Sequence, residues 1–193
     1  NKLSSQLKLL ESVEQMDQVG FIFSKWKIIG DNGETIESPK NKFDEKLIFE
    51  NLLLKNFILF SSVLINRKAY QHLRGISQFF NHSYDYDLLL RLSKSYKGLY
   101  LDEISAYYRI HPQNLSKTQF IQSFEEDFAI IAQYFPAKVA CLRLVNIAIT
   151  YLMVAVRKKE FKTAFNVLAL VPISKLIVHV VTALQKRISR AIG

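Results

Sequence analysis

From Thr118 to the last residue the sequence carries only helical signals, which confines any strand to residues 1–116. Apolar residues recur at helical spacing over about 118–134, 138–157, 160–170 and 173–190. Pro136 and Pro172 separate these runs, because proline lacks an N–H and its ring clashes with the preceding turn. Upstream, strand-like and helix-like segments are interleaved. A chain patterned this way is an α/β unit followed by an all-helical appendage, with the expected boundary between 116 and 117.

Within the first part, Leu3, Leu7, Leu10 and Val13 predict an amphipathic helix over 3–16. Val19 to Phe23 reads as a buried strand, and Gly30-Asp31-Asn32-Gly33-Glu34 as a turn closing a hairpin-like excursion. A short helix is expected at 45–54, a strand at Phe57 to Ile65, and another short helix from Arg67 to Leu73, stopped near Gly75. Ser83 is placed to cap a helix over 84–95, and Leu99 to Tyr108 suits one or two short strands. Four or five strands make half of an α/β domain, so the other half is expected upstream of Asn1. The chain opens without Met on an amphipathic pattern, which also reads as part of a longer protein.

The net charge of +9 is segregated. Residues 1–136 hold 16 Lys/Arg and 16 Asp/Glu, whereas residues 137–193 hold 10 Lys/Arg and one acid, Glu160. A basic, apolar, helical tail suits an anionic membrane surface. Arg143 and Asn146 interrupt one apolar stretch, and Lys175 and His179 another, which favours surface-bound or packed helices over membrane-spanning ones. No nucleic-acid recognition motif, Gly-rich phosphate loop or cysteine-based zinc spacing is present. Cys141 is the only cysteine, so no disulfide can form within the chain, and a buried core role is expected for it.

Two stretches hold candidate chemistry. In Ser83-Tyr84-Asp85-Tyr86-Asp87-Leu88-Leu89-Leu90-Arg91-Leu92, two acids share the first turn of a helix and point to different faces. One can face a cleft while the other pairs; equally, both can simply complement the helix dipole. In Tyr108-Arg109-Ile110-His111-Pro112-Gln113-Asn114-Leu115-Ser116, a strand ends in a polar loop. Such loops often carry function, yet one histidine is not a metal site. Trp26 could stack on a sugar ring or merely pack, and Ser61 and Ser62 could line an acceptor site or satisfy a strand end.

Together these stretches resemble the second half of family-2 glycosyltransferases of the GT-A fold. Many members carry a Glu-Asp-Tyr-Asp-Leu-Trp-Leu-Arg type motif, to which Tyr84 to Arg91 is similar, and then a Tyr-Arg-x-His-x-x-Asn-x-Ser type motif, to which Tyr108 to Ser116 is similar. Asn56 to Arg67 resembles the family segment before a short helix, and Lys2 to Leu7 the helix after its Asp-x-Asp segment. The resemblance implies a partial GT-A domain over 1–116, the acceptor-side half, with the nucleotide-binding half missing. It implies Asp85 as catalytic base, kept ionised by its helix N-terminus, and His111 as a ligand of Mg²⁺ or Mn²⁺. Trp26, Ser61 and Ser62 would bind acceptor, and Arg109 and Asn114 would support the site. The implied activity is metal-dependent, inverting transfer from a nucleotide-sugar donor to a saccharide or lipid-linked acceptor. Its setting would be surface polysaccharide or glycolipid synthesis at the cytoplasmic face of a membrane, with the tail at the membrane surface.

The chain departs from the pattern at Tyr84, where the family often has Glu, and it lacks the Asp-x-Asp metal motif, so by itself it is expected to be inactive. A non-catalytic membrane- or partner-binding module derived from a transferase half is the alternative. A nucleic-acid-binding protein driven by the basic tail ranks below both.

Overall fold

A computed structural model describes residues 1–37, 39, 44–114, 119–134 and 137–158. The chain divides into two compact units, Asn1–Glu126 and Asp127–Gly193. The helices expected at 160–170 and 173–190 lie outside the described residues.

The first unit is α/β. Its helices are α1 (Lys2–Glu11), α2 (Ile48–Leu54), α3 (Arg67–His72) and α4 (Tyr84–Ser95), and its strands are β1 (Val19–Ile29), β2 (Thr35–Glu37), β3 (Leu64–Ile65) and β4 (Lys97–Arg109). The sheet is mixed: β1 is the central strand, parallel to β4 and antiparallel to both β2 and β3. The β4 ladder runs along β1 from Val19 to Ile29, so β3 at Phe21–Ile22 and β2 at Ile28–Ile29 share the other edge.

Both long strands exceed their expected lengths. β1 continues past Phe23 through Ser24-Lys25-Trp26-Lys27-Ile28-Ile29, because β4 pairs with it throughout. Lys25 and Lys27 break the apolar run, but Lys25 forms an ion pair with Asp102 on β4. β4 is a single strand that absorbs Asp102 and Glu103 as an irregularity, since Leu101 pairs with Ser24 and Ile104 with Lys25. The strand expected over Phe57 to Ile65 shrinks to the two-residue β3, preceded by a 3₁₀ turn at Phe60–Ser62. The Ser62 hydroxyl donates to the Leu59 carbonyl (2.7 Å) and holds that turn. The helix expected over 3–16 ends at Glu11.

β1 is buried on both sides from Val19 to Ser24, so the core has two faces. On one face Val19, Ile22 and Leu99 pack against Leu9 and Leu10 of α1, Val13 and Leu64. The Gln6 amide on α1 donates to the Ser24 hydroxyl (3.0 Å) and the Ser62 carbonyl (2.8 Å), joining α1, β1 and the 3₁₀ turn. Phe21 and Phe23 stack (ring centroids 6.0 Å apart), and Phe23 also meets Tyr100 (5.3 Å) and Phe57 (5.9 Å). α4 packs on α2, β1 and β4. It buries Tyr86, Leu88, Leu89, Leu90 and Leu92, and the Tyr86 hydroxyl reaches the Leu52 carbonyl on α2 (2.7 Å).

Two further helices are described, α5 (Phe120–Ala132) and α6 (Lys138–Lys158). The division between the units falls inside α5. On α6, Ala140, Cys141, Leu144, Ile147 and Ala148 are buried, as expected for Cys141, whereas Leu142, Ile149 and Met153 are exposed. Among the described residues no helix is long and apolar enough to cross a membrane.

Candidate functional site

Asp85 and Asp87 both sit in the first turn of α4. Asp87 is buried, and its Oδ2 accepts from Nε (2.9 Å) and Nη2 (2.7 Å) of Arg91 one turn later. Arg91 also donates to the carbonyls of Leu73 and Gly75, each at 2.8 Å. Asp87 is therefore committed to holding the chain that leads into α4.

Among the described residues Asp85 has no cationic partner of this kind. It is half-buried, and its Oδ1 accepts from the Tyr86 N–H at 2.7 Å. Burial pushes its carboxyl above the ordinary aspartate value, outweighing the backbone N–H groups of Tyr86 and Asp85 that act the other way. The helix N-terminus expected to keep Asp85 ionised is opposed by desolvation, the largest influence on its carboxyl. The neighbouring Tyr84 ring meets Phe60 edge-on, with centroids 6.4 Å apart.

The N-terminus of α4 is closed by a residue that sequence reading passes over. Ser83 makes no side-chain cap; its hydroxyl donates to the Ser123 carbonyl (3.2 Å). Glu126, on α5, instead accepts from three successive backbone N–H groups, those of Asn81 (2.9 Å), His82 (2.8 Å) and Ser83 (2.8 Å). Burial alone would raise its carboxyl, but the three N–H donors and nearby His82 prevail and hold it below the usual glutamate value. One acid among three in a row, Glu125-Glu126-Asp127, on an amphipathic helix gives no sequence signal for a contact more than 40 positions away.

The second stretch is built as tightly. Asn114 accepts the His111 N–H on Oδ1 and donates from Nδ2 to the Arg109 carbonyl (3.0 Å) and the Tyr108 hydroxyl (3.3 Å). Arg109 reaches the carbonyls of Gly30 (3.1 Å) and Asp31 (2.6 Å), fastening the end of β4 to the turn after β1. Both residues support the His111 loop through its backbone. His111 itself is half-buried. Among the described residues no three or more His, Cys, Asp or Glu side chains gather into a metal-binding group. One imidazole does not hold a divalent ion alone, so His111 could supply only one of the several ligands that Mg²⁺ or Mn²⁺ needs. Ser116 of the same motif lies outside the described residues.

Trp26 lies within β1, not after it as expected, and its indole N–H donates to the Phe57 carbonyl (3.2 Å). Its ring meets Tyr108 edge-on, with centroids 6.3 Å apart. Ser62 is fully buried with its hydroxyl already donated, so its side chain does not face an acceptor as expected. Ser61 is exposed, and its carbonyl accepts from the Lys2 ammonium (2.7 Å). Contacts on either side of the Phe57–Phe60 segment link that segment to both stretches. Asn114 touches Tyr108, Tyr108 meets Trp26, Trp26 binds the Phe57 carbonyl, and in the same segment Phe60 meets Tyr84, next to Asp85.

A cavity of about 690 Å³ lies at the other end of α4, lined among others by Lys46, Phe49, Lys94, Tyr96 and Lys97. It includes neither Asp85 nor His111 and has no evident link to their chemistry. No family model matches the chain, and no curated protein matches its sequence at a significant level. The functional reading therefore rests on its own residues.

Proposed function

We propose that the chain is the acceptor-side, base-carrying part of an inverting GT-A-type glycosyltransferase acting at a membrane surface. The observation that carries this reading is the division of labour on α4. Asp87 is consumed by Arg91, while Asp85 is left half-buried with a raised proton affinity and, among the described residues, only backbone partners. A carboxylate moved toward neutral pH suits general-base work better than an ordinary one.

In the proposed step the Asp85 carboxylate takes the proton from an acceptor hydroxyl. That oxygen forms a bond to the anomeric carbon from the face opposite the leaving group. The bond from this carbon to the diphosphate oxygen breaks, its electron pair leaves with the nucleoside diphosphate, and the configuration inverts. Trp26 and Tyr108, held edge-on, would form an aromatic wall for the acceptor. His111 enters as one nitrogen donor for Mg²⁺ or Mn²⁺; the remaining ligands would have to come from elsewhere, including diphosphate oxygens.

The test is release of nucleoside diphosphate from a panel of nucleotide sugars by the natural full-length polypeptide, with Asp85→Asn and Asp87→Asn beside it. Asp85→Asn is expected to abolish turnover with its fold intact. Near-normal turnover in that variant rejects the assignment of the base. No turnover by the parent with any donor favours the alternative reading, a non-catalytic membrane- or partner-binding module.

A further inference from the structure

Residues 51–84 contain no Asp or Glu and four cations, Lys55, Arg67, Lys68 and Arg74. The last three are exposed, and among the described residues none of them forms an ion pair. The same stretch displays apolar side chains. α3 buries only Ala69, and Tyr70 (36%), Ile76 (43%) and Phe79 (81%) are exposed to solvent. Phe79 is the most exposed large apolar side chain among the described residues.

This exposure does not belong to a frayed end. After α3, Arg74 (φ 60°) and Gly75 (φ 68°) turn the chain through the left-handed region, and the Gly75 N–H bonds to the Tyr70 carbonyl (2.8 Å). The positive φ favours glycine at 75, and a Cβ there would also lie 2.8 Å from the end of the Tyr70 ring, which would have to shift. Arg91 fixes the carbonyls of Leu73 and Gly75, and Glu126 fixes the N–H groups of Asn81, His82 and Ser83. Ile76 and Phe79 stand on a short loop held at both ends.

We propose that α3 and this loop form a contact surface for an anionic lipid bilayer, separate from the basic tail. Exposed aromatic and aliphatic groups flanked by cations that form no ion pair among the described residues, with no acid in residues 51–84 themselves and the Glu126 carboxylate turned onto the backbone of Asn81–Ser83, match the boundary between headgroups and acyl chains. A saccharide carries too little negative charge to account for the cations, and their charge complementarity is to an anionic leaflet. The loop ends two residues before Asp85, so the catalytic turn lies next to the surface that meets the bilayer. The bilayer contact stands or falls independently of the transferase reading.

The test uses the full chain and vesicles of phosphatidylcholine with or without phosphatidylglycerol, containing brominated acyl chains. In Phe79→Trp the added indole should shift to the blue and be quenched on anionic vesicles, beyond the change shown by Trp26 in the parent. In co-sedimentation, Arg67→Gln and Lys68→Gln should each weaken binding about fivefold, from about 1 kcal/mol per cation near a charged leaflet. Phe79→Ser provides a second variant, and its exposed position predicts an unchanged melting temperature. Vesicle binding with no added quenching in Phe79→Trp would mean that the chain docks elsewhere and would overturn the proposal. Equal binding to neutral vesicles, or none to anionic ones at low salt, would overturn it as well.

Discussion

Asp87 exchanges water for the Arg91 guanidinium, whereas Asp85 exchanges much of its water for backbone N–H groups alone. That difference sets opposite expectations for the two substitutions. The folded state holds the Asp85 proton more tightly than the ordinary value of 3.8. Its contribution to stability is therefore present below the unfolded pKa and lost as pH rises through the raised folded pKa. At neutral pH the Asp85 charge therefore weighs against the fold, compared with its protonated form. Asp85→Asn should lower turnover by about 10²–10⁴-fold, the range of general-base catalysis. It should also raise the melting temperature at pH 7, with the difference closing in acid; a thermal melt series against pH reads this directly. Asp87→Asn should do the reverse to stability, costing up to about 3 kcal/mol, the lower end for breaking a buried ion pair, because Arg91 retains some solvent. Chemical denaturation measures that loss. Sequence reading narrowed the choice to these two acids, but their spacing alone left open which was paired. The answer depended on burial and on where the Leu73 and Gly75 carbonyls lie, neither of which is local in sequence.

At the scale of elements, α4 is held at its start by a distant carboxylate and along its length by a buried phenol. Glu126 caps the Asn81–Ser83 backbone from α5, and Tyr86 bonds to the Leu52 carbonyl on α2. Glu126→Ala should cost about 1 kcal/mol, the usual worth of a helix cap, with screening by solvent holding it near that figure. The amides of Asn81, His82 and Ser83 should exchange faster in that variant, and hydrogen exchange resolves them. The Glu126 carboxyl is held below its ordinary 4.5, so its stabilisation is present above that pH and fades as pH falls through the lower folded value. Glu126→Gln should flatten this acid limb. Tyr86→Phe should cost about 1–3 kcal/mol, because it strands the buried Leu52 carbonyl. α4 itself was legible, from a run of leucines behind an acidic first turn, and its bounds of 84–95 agree with the helix found. The full length of the long strands was not: Lys25 and Lys27 hid the continuation of β1 past Phe23, and Asp102 and Glu103 left open whether Leu99 to Tyr108 made one strand or two. Conversely, the apolar run from Phe57 promised a strand where burial alone was at work, and Ser62 turned the backbone instead. Apolar pattern reports burial first and ladder pairing second.

At the scale of the whole molecule, the segregation of charge is the strongest long-range feature: residues 1–136 are neutral by count, and residues 137–193 carry net +9. α6 gives that segment one described helix with two apolar sides. One side is buried; the other presents Leu142, Ile149 and Met153, each seven or four positions beyond the last and so nearly in line along the helix. An exposed apolar stripe on a basic helix is the arrangement that lies in a bilayer interface, with Arg143 and Lys138 able to extend toward headgroups while their stems cover apolar surface. The full chain should therefore sediment with anionic vesicles at about 0.1 M salt and be released near 1 M, where the screening length falls from about 10 Å to about 3 Å. Ile149→Ser and Met153→Ser should each weaken binding several-fold with little change in melting temperature, since both side chains are about half exposed. Packing against a partner protein predicts a different pattern: no sedimentation with vesicles, and an elution volume that shifts only when the partner is present. Retention through high salt and carbonate, with release by detergent alone, would identify insertion. That outcome would have to arise from residues other than the described helices, among which none is long and apolar enough to cross.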